Sequence, residues 1–334
     1  MLFDASLPPA SLAQVPQIAD AAERIGFDAL WAAETQHDPF LPLALAAEHT
    51  ERLHLGTAIA VGFARSPATL AYTAWDLADY SRGRFILGLG TQVRAHIRGR
   101  FGMPWPDSPA GKLRELVGAI RAFWRCWQTG EPLSFRGEHF RLSLMTPFFN
   151  PGPIDHPEIP IYLAGVNTAL CRLAGEIADG LHAHPYHSEG YLREVVEPAV
   201  TAGAAQAGRS RADVRISVTA FAVTSADEAD LVRAQIGFYA STPTYRPVMA
   251  FHGWGDTADR LCELARTGAW AEMPSLITEE MLGTFAVTAS PDELGAALHA
   301  RYRGLADRLT LYLPFSPGER DAFWSRLTAD LHQA

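Results

Sequence analysis

Short apolar runs alternate with helical patterns of apolar and polar positions along the whole chain. Between the runs, apolar residues recur at every third or fourth position, first in the set Leu12, Val15, Ala19, Ala22 and Ile25. This spacing is typical of helices that bury one face, and the runs themselves have the length of strands buried on both faces. The strands predicted from them span residues 3–7, 29–33, 53–61, 85–88, 161–164, 181–184, 214–223 and 309–313.

Eight strands that are each followed by a helix predict an α/β protein with a (β/α)8 TIM barrel. The alternative is an open doubly wound sheet, but no GxGxxG sequence follows the first strand and the units fill the chain evenly. We therefore predict a single barrel domain over residues 1–334. Less regular segments near 91–109, 133–156 and 241–285 are predicted to be insertions.

Composition and charge are those of a globular protein without a nucleic-acid partner. The 334 residues are 48% hydrophobic and 19% charged, with a formal net charge of -9, and phosphate backbones are bound by basic faces. No apolar run approaches the roughly 18 residues of a membrane span, so we predict no membrane partner. The segment Met1–Asp4 lacks the basic region and long apolar core of a signal peptide, which predicts a cytoplasmic protein.

The loop after the second predicted strand carries the strongest candidates for acid–base chemistry. Glu34, His37 and Asp38 fall within five residues, at the carboxyl end of a strand where barrels of this kind hold their active sites. An imidazole titrates near neutral pH, so His37 beside carboxylates is a candidate acid or base. The alternative is a loop held by local hydrogen bonds, with Asp38 as a helix cap. His96, after the fourth strand, is a second candidate.

Small residues follow three further strands and indicate a surface that a flat ligand can approach. They occur in the segment 56–62 at the end of the third strand and at Gly90, beside Thr91 and Gln92, after the fourth. The fifth strand ends in the segment 164–167 before a helix, where free amides attract an anion. A plain Asn or Thr helix cap is the alternative there.

Three histidines follow the sixth predicted strand in the pattern HxHxxH, at His182, His184 and His187. Such a cluster is compatible with zinc, and a metal-dependent hydrolase is therefore one hypothesis. No acidic ligands accompany the histidines at a convincing spacing, so a polar wall or a substrate contact is the favoured interpretation and no metal is predicted.

Five stretches, in this order, resemble the bacterial luciferase-like monooxygenase superfamily and above all its coenzyme F420-dependent oxidoreductase branch, which uses a deazaflavin. They are AAETQHDPF at 32–40, GTAIAVGFARSPATLA at 56–71, SRGRFILGLGTQVRAHI at 81–97, LAGVNTALCRLAGEIADG at 163–180 and FYASTPTYRPV at 238–248. The resemblance covers almost the whole chain.

The resemblance implies a barrel that binds an isoalloxazine-like ring at its carboxyl mouth. It implies a non-proline cis peptide at Ala58–Ile59, or one residue later, against which the ring packs, and a tail phosphate that meets the start of the fifth helix. The cofactor-binding residues implied in this way are Ala58, Ile59, Gly90, Thr91, Gln92, Ala164, Gly165, Val166 and Asn167.

The activity implied by the resemblance is hydride transfer between C5 of the deazaflavin and a small organic substrate. His37 is the expected proton donor or acceptor, Glu34 places it or the ring, and His96 is the second candidate. The alternative is an FMN-dependent monooxygenase that uses reduced flavin and oxygen, and a cofactor-binding barrel without turnover is a further hypothesis. Members of the superfamily are commonly dimers, which implies a homodimer.

The chain departs from the sugar-phosphate dehydrogenases of this branch. Their substrate phosphate is held by lysines, whereas Lys112 is the only lysine here, so glucose 6-phosphate is not expected as the substrate. His184 and His187 stand about where those enzymes contact substrate, and Arg65 is a further predicted substrate contact. The residues expected to form a more apolar pocket with Arg65 are Phe101, Trp105, Phe148 and Phe149.

Overall fold

The computed structural model describes residues 1–333, and within them eight parallel strands form a closed ring. Strand β1 pairs with β2, and β8 pairs with both β1 and β7, while β7 also pairs with β6. The barrel prediction is confirmed, and the open sheet is wrong because the first and last strands are hydrogen-bonded to each other. The strands are β1 (Leu2–Ser6), β2 (Ala29–Ala32), β3 (His54–Thr57), β4 (Phe85–Gly90), β5 (Ile161–Gly165), β6 (Gly180–Ala183), β7 (Arg215–Val223) and β8 (Arg308–Leu311).

Helices cover the outside of this ring and also fill the segment between β7 and β8. A π-helical turn at Leu192–Val196 joins α7 to α8. The helices are α1 (Val15–Ile25), α2 (Leu41–Glu48), α3 (Pro67–Tyr80), α4 (Arg94–Gly99), α5 (Pro109–Thr129), α6 (Thr168–Ile177), α7 (Glu189–Tyr191), α8 (Glu197–Gln206), α9 (Ala226–Ala240), α10 (Arg246–Phe251), α11 (Gly255–Thr267), α12 (Glu279–Phe285), α13 (Leu294–Tyr302) and α14 (Asp321–Gln333). No helix among residues 1–333 is long and apolar enough to cross a membrane.

Two short strands differ from the sequence prediction. The run predicted as one strand over 53–61 is interrupted after Thr57, and its second part, Ala60–Val61, pairs with the end of β4. The strand Ala286–Thr288, which was not predicted, pairs with the end of β7. Three residues between helices are too few to produce a recognisable alternation, so the sequence pattern misses this strand.

A buried ion pair inside the barrel joins its first and last strands. Nε and Nη2 of Arg308 on β8 donate to the carboxylate of Asp4 on β1, at 2.8 and 2.7 Å, and Trp31 Nε1 donates to the same carboxylate at 2.9 Å. The side chains of Asp4 and Arg308 are 0% and 5% exposed. Because each buried charge is matched and hydrogen-bonded, the pair is tolerated inside the barrel.

The insertion at 133–156 lies on the outside of the barrel. Its hairpin pairs Phe135–Arg136 with Arg141–Leu142, and the hydroxyl of Tyr72 on α3 donates to the Phe149 carbonyl at 2.6 Å. Phe148 and Phe149 are 88% and 60% exposed. The prediction that these two rings line a pocket with Arg65 is therefore wrong, because the segment packs against an outer helix.

Candidate active site at the carboxyl end of the barrel

The interruption after β3 forms one wall of the barrel mouth. The peptide bond Ala58–Ile59 is cis, at the first of the two positions that the family resemblance implied. The Ala58 amide donates to the Ala32 carbonyl at 2.9 Å, and the Glu34 amide donates to the Ile59 carbonyl at 3.2 Å. These two bonds fasten the interruption to the end of β2, and Ala58 and Ile59 both stay partly exposed.

Two glycines of β4 allow this wall to lie close to the next strand. Thr57 Oγ1 donates to the Gly88 carbonyl at 2.6 Å and accepts from the Gly88 amide at 2.9 Å. A Cβ at Gly88 would lie 1.7 Å from the Thr57 carbonyl oxygen, and a Cβ at Gly90 would lie 2.7 Å from Ile59 Cδ1 and 3.4 Å from the Ala164 Cβ. Only glycine fits at either position without displacement, and the result is a smooth wall of Ile59 and Ala164 over Gly90.

The segment after β4 turns sharply, and its polar side chains form hydrogen bonds to the backbone of the same segment. Gln92 has φ 59°, in the left-handed region, and its Oε1 accepts from the Val93 amide at 2.9 Å. Thr91 is buried, and its hydroxyl donates to the Gln92 carbonyl at 3.0 Å. Within residues 1–333, the amide nitrogen of the Gln92 side chain has no hydrogen-bond partner.

The start of α6 combines a helix cap with free amides. Asn167 Oδ1 accepts from the Leu170 amide at 3.0 Å, so the Asn cap that the sequence offered as an alternative is present. Gly165 and Val166 are buried, and the Val166 carbonyl accepts from the Tyr191 hydroxyl at 3.0 Å. The first amides of a helix have no acceptor within it, and such an end attracts anions.

An ion pair fastens the loop after β2 to the segment after β3. Glu34 Oε2 accepts from the Val61 amide at 2.7 Å and from Arg65 Nη1 at 2.5 Å. Arg65 Nη2 donates in turn to Asp38 Oδ2 at 3.0 Å. The side chains of Glu34 and Arg65 are 7% and 17% exposed, so the charge of Arg65 is satisfied within the protein.

Asp38 also caps α2. Its Oδ1 accepts from the Phe40 amide at 2.8 Å and from the Leu41 amide at 3.2 Å. The sequence alternative of a loop held by local hydrogen bonds is thus present at Asp38. His37 is held between the anchored residues Glu34 and Asp38, and the hydrogen bonds within the described chain leave its imidazole free.

His37 is exposed and lines a cavity of about 250 Å³, the His37 pocket. Its walls come from the segment 7–12 after β1 and from the segment 32–42 around the end of β2. His96 is exposed on α4, and the end of that helix is tied to the same loop because Arg100 Nη2 donates to the Thr35 carbonyl at 2.9 Å.

The three histidines around β6 have three different environments. The His182 ring lies against those of Trp31 and Tyr162, with centroids 4.8 and 5.2 Å apart, and burial lowers its pKa to about 3. His187 is buried, with ring nitrogens 2.7 Å from the His184 carbonyl and 3.2 Å from the Tyr302 hydroxyl. Among residues 1–333, no group of three His, Cys, Asp or Glu is arranged to hold a metal ion, so this geometry does not support the zinc-site hypothesis.

His184 alone of the three is partly exposed and near the mouth. Its Nδ1 accepts from the Tyr186 amide at 3.1 Å, so the neutral ring carries its proton on Nε2. Burial lowers the pKa of His184 to about 3. Rings of Tyr239 and Tyr245 lie against it at 4.7 and 4.5 Å.

Sequence analysis missed a hydroxyl pair beside His184. The hydroxyls of Tyr239 on α9 and Tyr312 after β8 are 2.7 Å apart, and burial raises the pKa of Tyr239. The Tyr239 hydroxyl is therefore neutral at ordinary pH and available for hydrogen bonding. In the sequence, Tyr312 lies within the strand predicted over 309–313, whereas in the structure that strand ends at Leu311 and Tyr312 follows it.

Three comparisons with known proteins agree with this fold. A family model described as luciferase-like monooxygenase matches residues 3–308. The uncharacterized protein Rv1360 of Mycobacterium tuberculosis H37Rv is 48% identical over 313 residues, which is 92% of each chain. The putative coenzyme F420-dependent oxidoreductase Rv3520c of the same organism is 30% identical over 308 residues, 84% of this chain and 86% of that protein.

Among solved structures, the coenzyme F420-dependent tetrahydromethanopterin reductase from Methanopyrus kandleri superimposes with a TM-score of 0.80. The match covers 99% of this chain and 98% of that one at 21% identity, which establishes a common fold. The chain thus has relatives named as coenzyme F420-dependent oxidoreductases, and with a family model that spans nearly all of its barrel it belongs to the bacterial luciferase-like family.

Proposed function

We propose that the chain is a coenzyme F420-dependent oxidoreductase that transfers a hydride between C5 of the deazaflavin and a small organic substrate. The observation that carries the proposal is the smooth wall of Ile59 and Ala164 over Gly90 at the carboxyl end of the barrel. A planar ring needs such a wall, and relatives that cover most of the chain are named for this cofactor. When bound, the deazaflavin supplies a carbon at position 5 that gives or takes two electrons as a hydride.

The residues of the mouth fit this cofactor in shape and in charge. Ala58 and Ile59 would hold one face of the ring, and the turn at Gly90, Thr91 and Gln92 would hold its edge. The free amide nitrogen of the Gln92 side chain is the donor available to a ring carbonyl or a sugar hydroxyl. Gly90, Thr91 and Gln92 are uncharged, so a ring that binds against them would not bury a side-chain charge.

The cofactor phosphate would lie at the start of α6, along the segment from Ala164 and Gly165 to Val166 and Asn167. The helix dipole and the unbonded amides favour an anion there. Because Asn167 already caps the helix through the Leu170 amide, the helix end is ordered before the phosphate arrives. This preorganisation lowers the entropy that binding costs.

In the reaction, His37 would take or give the proton that accompanies the hydride. Its imidazole is exposed at the mouth, and the loop that carries it is fixed on both sides by Glu34 and Asp38. Glu34 is a positioning residue in this mechanism, since its charge is already used by Arg65 and by the Val61 amide. His96 on the tethered helix α4 is the second candidate for the proton transfer.

We propose roles for His184, His187 and Arg65 that differ from the three substrate contacts predicted from the sequence. His184 has a proton on Nε2 beside two tyrosine rings, and of the three histidines it alone is partly exposed. His187 is buried with both ring nitrogens hydrogen-bonded, and Arg65 is engaged by Glu34 and Asp38. We therefore assign Arg65 to holding the loop and His187 to supporting His184, whose carbonyl it contacts.

The test is a titration of the purified protein with deazaflavin and with FMN in parallel. Tighter binding of the deazaflavin is the expected result, and Gly90→Val should weaken it because the added side chain would collide with Ile59. Tight FMN binding without deazaflavin binding would overturn the proposal. Oxygen consumption with reduced FMN would then favour the monooxygenase alternative, which shares the fold.

A further inference from the structure

We propose that the His37 pocket binds a small, uncharged, largely hydrocarbon molecule that carries one hydroxyl or carbonyl group, and that this class of molecule is the substrate. The reaction in this inference rests on the proposed function, whereas the binding site rests on the pocket itself. The pocket lies beside β2, whose end is hydrogen-bonded to the cis interruption: the Ala32 carbonyl, which accepts from the Ala58 amide, belongs to a residue of the pocket wall.

Apolar side chains dominate the pocket, and two of its leucines remain exposed. Leu12 and Leu41 line it and are 46% and 58% exposed. Pro8, Pro9 and Ala10 complete the wall that faces β2. A hydrocarbon ligand would cover these surfaces and remove them from water, which is the main driving force for binding in an apolar site.

The volume limits the size of the ligand. The pocket measures about 250 Å³, more than the ~150 Å³ cavity that holds benzene and less than the ~300–1,000 Å³ of sites for drug-sized molecules. A ligand of roughly six to ten non-hydrogen atoms fits this space. A complete sugar phosphate or a pterin is too large for it.

The lining also selects against charge. Among the described residues that line the pocket, none is a lysine or an arginine, and its carboxylate, Asp38, is already paired with Arg65. An anionic ligand would lose its hydration there without meeting a cation. The uncharged polar side chains of the lining are Ser11, Thr35 and His37, and the Ser11 hydroxyl already donates to Gln14 Oε1 at 3.0 Å. Thr35 and His37 suffice for one hydroxyl or carbonyl.

The reaction balances with these groups. In the oxidative direction, the hydroxyl proton of an alcohol would pass to the His37 imidazole while the alcohol carbon gives up a hydride, and a carbonyl would remain. The hydride carries the two electrons that the alcohol loses, and bound deazaflavin would supply the acceptor. In the reverse direction, His37 returns the proton to the oxygen as the carbonyl carbon accepts the hydride.

The test measures binding of cyclohexanone and of cyclohexanecarboxylate to the full chain without cofactor, by ligand-observed NMR. The two probes share a ring and differ in charge. The variants are Leu41→Ala, which removes part of the wall, and Ala33→Trp, which fills the pocket from an exposed position. Leu231→Ala is the matched control, because this leucine is 68% exposed on α9 and lies outside the pocket.

We expect saturable binding of cyclohexanone to the wild-type protein and at least tenfold weaker binding of the carboxylate. Leu41→Ala should weaken cyclohexanone binding about fivefold, which corresponds to the contact of one or two methylene groups. Ala33→Trp should abolish binding, and Leu231→Ala should change it less than twofold. Thermal melts verify that each variant is folded, and Ala33→Leu replaces the tryptophan variant if that one is unfolded.

Equal affinities of all variants for cyclohexanone would overturn the inference, and so would carboxylate binding as tight as that of the ketone. A separate deazaflavin titration distinguishes the two proposals. If the pocket results hold but deazaflavin does not bind, the proposed function fails and the pocket assignment stands. If deazaflavin binds but cyclohexanone does not, the pocket assignment alone fails.

Discussion

Glu34→Gln removes the charge that holds the loop after β2 while keeping the shape of the side chain. Glu34 Oε2 accepts two hydrogen bonds, from the Val61 amide and from Arg65. A hydrogen bond to a charged group contributes about 1.5–3 kcal/mol, and a neutral one about 0.5–1.5 kcal/mol. The glutamine oxygen keeps a neutral bond from the Val61 amide and is an uncharged acceptor for the cationic Arg65, so each bond weakens by about 1 kcal/mol.

We therefore expect Glu34→Gln to lower the free energy of unfolding by about 2 kcal/mol. The residual pairing of Arg65 with Asp38 keeps the loss below the ~3–5 kcal/mol typical of an isolated buried charge. The measurement is urea unfolding followed by tryptophan fluorescence, with slopes compared to verify that two-state behaviour is kept.

Glu263→Gln serves as the matched control. Glu263 pairs with Arg260 on the surface of α11, where their side chains are 51% and 56% exposed, and its loss should cost less than about 0.5 kcal/mol. A double-mutant cycle of Glu34→Gln with Arg65→Met should give a coupling energy of at least about 1 kcal/mol. Equal stability of Glu34→Gln and the control, or a coupling energy near zero, would refute the reasoning.

Three further predictions concern the inside of the barrel. Asp4→Ala should lower the free energy of unfolding by about 3–5 kcal/mol, because Arg308 is left as a buried charge without its partner; a loss under about 1 kcal/mol in urea unfolding would contradict this. Gly88→Ala should cost about 3 kcal/mol or more, since its Cβ would lie 1.7 Å from the Thr57 carbonyl oxygen, and an unchanged melting temperature would count against it. Burial holds the pKa of His182 at about 3, so between pH ~6.5 and ~3 the unfolded chain binds a proton that the folded chain does not. This histidine alone should lower stability by about 2 kcal/mol from pH 7 to pH 5, and if His182→Gln leaves the pH slope unchanged, the assignment is wrong.

Local patterns in the sequence were enough to predict the barrel. Strands buried on both faces appear as apolar runs, and the helices between them show the spacing of one buried face. The bounds agree closely at β2 and β5, for example, where 29–33 and 161–164 were predicted and Ala29–Ala32 and Ile161–Gly165 are observed. The order of these elements then leaves a closed parallel ring as the consistent arrangement.

The part of the site that could be predicted is the wall formed by small residues at the ends of consecutive strands. The segments that contain the cis bond at Ala58–Ile59 and the wall at Gly90 stood out by composition and by resemblance. The His37 pocket did not stand out, because its walls come from two loops after neighbouring strands. Neither loop has an apolar pattern of its own.

The succession of strands and helices, and the family to which the motifs belong, follow from the amino-acid sequence alone, since both depend on residues close together in the chain. Which charges are paired and which are free depends on contacts that exist only in the folded barrel. Asp4 meets Arg308 across 304 positions, His187 meets Tyr302 across 115, and Glu34 meets Arg65 across 31. Closure of the barrel brings these groups together, and a local pattern contains no information about a partner so far away.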